Sequence, residues 1–325
     1  MADPDDGIPV TQDGFDPLGP QVRRARLSTG RQVHYIDDGD PSWRTLLFFG
    51  GAGTTVRAFR LLEFARTLRR QLRIRVVSVE RNGLGQTPFD PSVGLTEHAH
   101  DVWALLDHLG IEEASVIAIS GGGPYAAHVI SVRPTRIRSV HLAAAFSEAL
   151  PGATPDLSLE AIAADPTEWW RFPEDSPVND IPGFADSVIE EATRGAFALG
   201  SEPRIEGLAQ AFDLYRQCPL PDLSGLAAPG FLYWGDRDTA VPLDHLRRWE
   251  AALPVDPLTR IYTGEGHDIQ YRHWDQIMAD VAFLGNRVVV TTAQGATMLQ
   301  TPARAAAVIA AGGTLGLAAW RSARR

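Results

Sequence analysis

After a polar, glycine- and proline-rich start, the chain settles into short apolar runs separated by longer amphipathic stretches. TLLFF (45–49), IRVVSV (74–79), ASVIAI (114–119), RSVHLAA (138–144), GFLYW (230–234) and LTRIYT (258–263) are rich in β-branched and aromatic side chains. Continuous apolarity over so few residues fits strands buried on both faces. Ahead of them, ARLSTGRQVHYIDDG gives two alternating runs around a Ser-Thr-Gly turn, which predicts a hairpin. Between the runs, VRAFRLLEFARTLRRQL places apolar residues at helical spacing, and Thr96 precedes the helical DVWALLDHLG. Pro124 opens a third helix, where a missing amide costs little. Strands alternating with helices predict an α/β fold, a mostly parallel central sheet with helices on both faces. Reactive groups in such sheets collect beyond the carboxyl ends of the strands.

Two regions break this rhythm. Residues 146–226 hold helical patches and many prolines but no strand pattern. They read as a helical cap inserted between two parts of the core, 22–145 and 227–285. Within the cap, 151–222 carries 14 Asp/Glu against 4 Arg, an imbalance as large as the formal charge of the whole chain, -10. A solvated acidic surface accounts for it, with attraction of amine-bearing substrates as the sharper alternative. At the ends, residues 1–21 predict a flexible leader. Residues 286–325 predict a ββα-like appendage, a hairpin around Ala-Gln-Gly followed by a helix in PARAAAVIAAG. Ala305 to Trp320 is uncharged, yet it falls short of the roughly 20 residues that cross a bilayer, so membrane attachment is not expected.

Composition narrows the chemistry. The net negative charge disfavours nucleic acid and anionic membranes as partners. Cys218 stands alone and can form no internal disulfide, and MADPDDGIPV has no apolar secretory core, so a cytoplasmic setting is expected. All 30 basic residues are Arg. Without lysine, Schiff-base and pyridoxal chemistry, a phosphate-loop lysine and a Ser–Lys dyad are excluded. The oligomeric state is open, a homodimer included.

One stretch points to nucleophilic chemistry. In IAISGGGPYAA, Ser120 stands where a strand turns sharply into a helix, flanked by the small residues Ala118, Gly122 and Gly123. Such a turn strains its central residue and exposes the side chain above the sheet, at a helix N-terminus that favours negative charge. A hydroxyl needs a base, and the base needs an orienting acid. GDRDTAVP places Asp238 just past the GFLYW strand, with Asp236 as its competitor, and GEGHDI places His267 just past LTRIYT. An oxyanion would be held by the amide of Gly121 and by a second amide from FGGAGTT, with Gly51 first and Ala52 as the alternative. His98 and His100 have metal-like spacing, but no third ligand cluster accompanies them.

With FGGAG, ERNGLGQT, AISGGG, GDRD and GEGH in this order over about residues 22–284, the chain resembles the α/β-hydrolase fold superfamily, serine esterase-like branch. Ala118 replaces the usual first glycine of the elbow, Glu80 and Thr87 replace Asp and Ser of the D-x-x-G-x-G-x-S turn, and Phe49 stands where the oxyanion loop usually has histidine. The resemblance implies cleavage of carboxylic esters through an acyl-enzyme, with Ser120 as nucleophile, His267 as base and Asp238 as its orienting acid, and with no cofactor or metal. Serine at the elbow argues against epoxide hydrolase and haloalkane dehalogenase chemistry. A proline iminopeptidase-like peptidase and a cofactor-free perhydrolase or C–C hydrolase are the alternatives. Trp169 and Trp170, with Phe172 and Phe184, are candidate substrate-binding residues of the cap.

Overall fold

Runs of residues with no polar face must bury both faces, and here they do so by pairing with one another. The computed structural model describes residues 7–11, 19–150, 159–165, 171–172, 174, 176–180, 183–196, 205–292 and 295–301. Its strands are β1 (Ile8–Val10), β2 (Val22–Arg26), β3 (Gln32–Asp38), β4 (Arg44–Phe49), β5 (Ile74–Val79) and β6 (Ala114–Ile119), followed by β7 (Ile137–Ala143), β8 (Gly230–Gly235), β9 (Leu258–Tyr262), β10 (Arg287–Thr292) and β11 (Gly295–Gln300). Eight of them form one sheet in the order β2-β3-β5-β4-β6-β7-β8-β9. The β2–β3 and β3–β5 pairs are antiparallel, and every pair from β5 to β9 is parallel. Every residue of β5, β6 and β8 is buried. LTRIYT, expected as a central strand, is instead the half-buried edge strand β9. Last in the order, it has a neighbour on one side only.

The order also fixes where chemistry can occur. From β4 the chain steps to β5 on one side and returns to β6 on the other. The crevice beyond β4 and β6 is therefore the topological switch point, where the loops after both strands diverge and leave room for a ligand.

The helices follow the amphipathic stretches with two differences. The first stretch is not one α-helix but a 3-10 helix, Val56–Ala65, running into α1 (Arg66–Gln71). Its charged residues lie inside: Glu63, 2% exposed, receives Arg69 Nε at 2.9 Å, and Arg60 Nη2 donates to the Ser187 carbonyl at 3.3 Å. A segment buried nearly all round does not keep the two-sided character that its spacing suggests. The second helix, α2 (Leu95–His108), begins at Gly94 rather than Thr96, because Glu97 Oε2 reaches back to accept from the Gly94 amide at 3.0 Å. It packs against α3 (Gly123–Val132).

Between β7 and β8 lie α4 (Leu159–Ala164), a 3-10 turn at Pro177–Asp180, α5 (Phe184–Ala196) and α6 (Glu206–Gln217), with no strand among the described residues. Phe172 and Phe184 meet Tyr271 of the core edge-on at 5.1 and 5.5 Å, and Leu61, Val178 and Val188 complete this apolar contact. Beyond β9 follow α8 (Ile269–Arg272) and α9 (Trp274–Phe283), while α7 (Leu243–Ala252) lies between β8 and β9.

The leader expectation needs a correction. Ile8–Val10 is a strand, paired antiparallel with β11 so that β1, β11 and β10 form a small separate sheet. The hairpin leaves one edge of β11 with unpaired backbone groups, and the N-terminal residues satisfy them. Pro9 fits because an edge strand has one side on which a missing amide costs nothing. The hairpin tip at 293–294 and the expected helix from Pro302 lie outside the described residues. Among the described residues no helix is long and apolar enough to cross a membrane.

Candidate active site

β6 ends at Ile119 and the next residue, Ser120, has φ +50°, a left-handed angle that a Cβ-bearing residue holds only when its surroundings enforce it. The enforcement is close packing of backbone. A methyl group on Gly122 would stand 2.5 Å from the Phe49 carbonyl oxygen, and one on Gly123 would stand 1.9 Å from that of Phe146. Neither position admits a side chain. The Ser120 carbonyl accepts from the Phe146 amide at 2.8 Å, and α3 then begins with Pro124 in its first turn.

Two loops from the far side of the sheet complete the arrangement. Ser120 Oγ lies 3.0 Å from His267 Nε2, and His267 Nδ1 lies 2.8 Å from Asp238 Oδ2. The other carboxylate oxygen of Asp238 accepts from the amides of Ala240 and Val241 at 2.9 and 2.8 Å. An ionised carboxylate only accepts, so Nδ1 carries the imidazole proton and Nε2 offers its lone pair to the serine. Asp236 faces elsewhere and accepts from the Gly264 amide at 2.6 Å, which holds the two loops together.

The loop after β4 meets this serine across the switch point. A Cβ on Gly51 would lie 3.5 Å from that of Ser120, and the Ala52 nitrogen lies 2.9 Å from where a Cβ on Gly121 would stand. Gly51 and Ala52 therefore both flank the elbow beside Gly121. What holds this glycine-rich loop was not visible in the sequence. Arg81, 5% exposed, sends Nη2 to the carbonyl oxygens of Gly51 and Thr54, both at 2.6 Å, and to the Thr54 hydroxyl at 2.9 Å. Its guanidinium also lies 5.2 Å from the centre of the Tyr125 ring. Arg81 Nη2, with the Thr54 amide and hydroxyl that also donate to the Gly51 carbonyl at 3.2 and 2.8 Å, thus holds the Gly51–Ala52 peptide, in a loop where Phe49 replaces the customary histidine. The signal was present in ERNGLGQT, but a surface turn gives no hint that its second residue points inward.

Two buried carboxyl groups grip the next residues of the loop. Glu191 of α5 accepts from the Thr55 amide at 2.7 Å, and Glu80 accepts from the Val56 amide at 3.1 Å. Burial, and then the neighbouring Glu191, push Glu80 up to about 8. Burial likewise raises Glu191. For a carboxyl raised in the folded state, the stability it contributes is full below its unfolded value and is lost as pH rises through about 8. Glu80→Gln keeps an acceptor for Val56 without the charge. Between pH 5 and 9 its Tm should fall about 2–4 °C less than the wild type's, by calorimetry at each pH.

A cavity of about 340 Å³ opens over Ser120 and His267. Its walls combine the glycine loop with Phe48, Leu62, Ile119, Phe172 and Tyr271. Phe172 is thus a lining residue, whereas Phe184 packs behind it, 1% exposed. Trp169 and Trp170 lie outside the described residues. His98 is buried beside Phe49 and Tyr125, and His100 is exposed, so the two do not share a site. Burial, together with the Arg81 charge, lowers His98 to about 3 and keeps it neutral. No cluster of metal-ligating side chains occurs among the described residues.

The fold has counterparts in known proteins. The magnesium-chelatase 30 kDa subunit of Rhodobacter capsulatus is 27% identical over 237 residues, which span 70% of this chain and 83% of that protein. Among solved structures, the 2-hydroxy-6-oxo-6-phenylhexa-2,4-dienoate hydrolase of Rhodococcus sp. strain RHA1 superposes with a TM-score of 0.64 at 20% identity, covering 82% of this chain and 99% of that one. An esterase from Rhodococcus sp. ECU1013 gives 0.60 at 15% identity, covering 81% and 99%. Residues 44–188 match the family model of the alpha/beta hydrolase fold, and they run from β4 through the elbow into α5. Sheet order and the sequence match over residues 44–188 agree: the chain has the α/β-hydrolase fold.

Proposed function

We propose that the protein is a serine hydrolase that cleaves carboxylic esters of small or medium-sized substrates through an acyl-enzyme. The observation that carries this reading is the unbroken hydrogen-bonded chain from Ser120 through His267 to Asp238, on the floor of a mostly apolar cavity. In the first step His267 takes the Ser120 proton while Oγ attacks the acyl carbon. The charge that develops on the carbonyl oxygen faces the Gly121 amide and the Gly51–Ala52 turn. His267, now an imidazolium stabilised by Asp238, gives its proton to the leaving alkoxide. Water then enters, and the same histidine activates it to release the acid and restore the serine.

The iminopeptidase alternative needs an acidic group to receive a free amino terminus. Among the described residues lining the cavity the one carboxylate besides the triad is Asp268, and it is held by Arg272 at 2.8 Å and by the Ser176 hydroxyl. That arrangement favours an ester over a peptide substrate. A fluorophosphonate should label the wild type and not Ser120→Ala. Nitrophenyl esters of increasing chain length should be hydrolysed, with proline anilides untouched. An unlabelled wild type would sink the mechanism.

A further inference from the structure

The acidic cap suggested that a substrate could carry an amine, but the charges at the cavity itself have the opposite sign. Arg171 from the cap and Arg237 from the loop after β8 both line it. Arg237 directly precedes the triad's carboxylate in sequence, and its backbone is fixed by donation to the Glu265 carbonyl at 2.9 Å. The described carboxylates of its own loop and of the loop after β9 are already engaged. Asp236 accepts from the Gly264 amide, Asp238 from His267, Glu265 lies 2.8 Å from His273 Nε2, and Asp268 is paired with Arg272. Among the described residues the exposed Arg237 guanidinium therefore has no ion-pair partner.

A guanidinium beside an apolar, partly closed cavity interacts with anions more strongly than one on open surface, because its field is less screened there. Its planar donor fork also matches a carboxylate in two parallel hydrogen bonds. We infer that Arg237 forms an anion subsite at the rim of the cavity, which selects esters bearing a second, ionised carboxylate remote from the scissile bond. This rests on the esterase reading above. The acyl chain would lie along the Phe48, Leu62 and Phe172 wall, with its reacting carbonyl over Ser120 and its far carboxylate at Arg237.

The test compares 4-nitrophenyl hydrogen adipate with 4-nitrophenyl hexanoate, which differ at the far end of the acyl chain in bearing a carboxylate or none. The wild type should show a higher kcat/KM for the adipate, and 0.5 M salt should erode that preference, as expected for a partly exposed charge. Arg237→Gln should reduce the adipate-to-hexanoate ratio at least about tenfold, equivalent to about 1.4 kcal/mol. Arg237→Glu should reverse the preference. A 4-nitrophenyl ester with a terminal phosphate tells whether the subsite takes any anion or carboxylates specifically. A ratio that is equal in wild type and Arg237→Gln overturns the inference while leaving the hydrolase reading intact. If no ester is turned over, that reading fails. The subsite is then still tested by whether adipate, and not adipamide, slows fluorophosphonate labelling of the wild type more than that of Arg237→Gln. Equal protection overturns it.

Discussion

Asp238→Asn should lower kcat for ester turnover by about 10⁴-fold, with KM and Tm close to those of the wild type. The size of the loss follows from which atoms the amide can replace. Asp238 Oδ1 takes the Ala240 and Val241 amides, and an asparagine carbonyl oxygen accepts both equally well. The loop that carries residue 238 therefore keeps its shape, and stability changes little. The second carboxylate oxygen faces His267 Nδ1, where an asparagine presents its NH₂ instead. Two donors cannot face each other, so the imidazole must place its proton on Nε2. That nitrogen then points a hydrogen at Ser120 and has no lone pair with which to take the hydroxyl proton. Stopped-flow measurement of nitrophenol release should show the loss in the acylation step. A drop below tenfold, or a kcat loss that tracks Tm, would show that Asp238 has a structural role only.

The site was legible to the extent that it depends on chain order and local backbone. Ser120, Asp238 and His267 each follow an apolar strand directly, and SGGG is the composition that a strained turn against the Phe49 and Phe146 carbonyls demands. The order of strands along the sheet, by contrast, follows from pairing between distant segments, which periodicity does not encode. The same limit hid the β1 strand. IPV is short, contains a proline and becomes a strand only because β11 offers an edge nearly three hundred residues later. It also hid Arg60, Glu63, Glu80 and Arg81. Charged residues default to the surface in any reading of pattern; Arg60, Glu80 and Arg81 are buried because each meets a partner contributed by another segment, and Glu63 because Arg69 of the adjoining helix turns inward to it.

Arg81→Met should reduce kcat by about 10²-fold, the scale of losing an oxyanion donor, although Arg81 itself touches no substrate atom. Gly50, Gly51 and Gly53 give the loop after β4 little conformational preference of its own, since glycine is permissive at every one of them. The direction of the Gly51–Ala52 peptide is set by Arg81 Nη2 on the Gly51 and Thr54 carbonyls, with Thr54 also donating to the Gly51 carbonyl. Without it, the amides that face the elbow must be ordered anew each time negative charge develops on the substrate. The loss should therefore fall on kcat, and on the rate of fluorophosphonate labelling, with KM moving little. Arg81→Lys should recover only part of the rate, because an ammonium is a more strongly hydrated charge and lacks the planar group that lies against the Tyr125 ring. The Thr54 carbonyl, left without its donor, also costs about 1–3 kcal/mol, so Arg81→Met will melt earlier, while the Gly51 carbonyl keeps the Thr54 amide and hydroxyl. Guanidinium ion separates the two effects. At millimolar concentration it should restore turnover in Arg81→Gly by re-occupying the space beside Tyr125. Recovery of the melting temperature without recovery of kcat would show that Arg81 supports the fold and leaves the oxyanion loop to order itself.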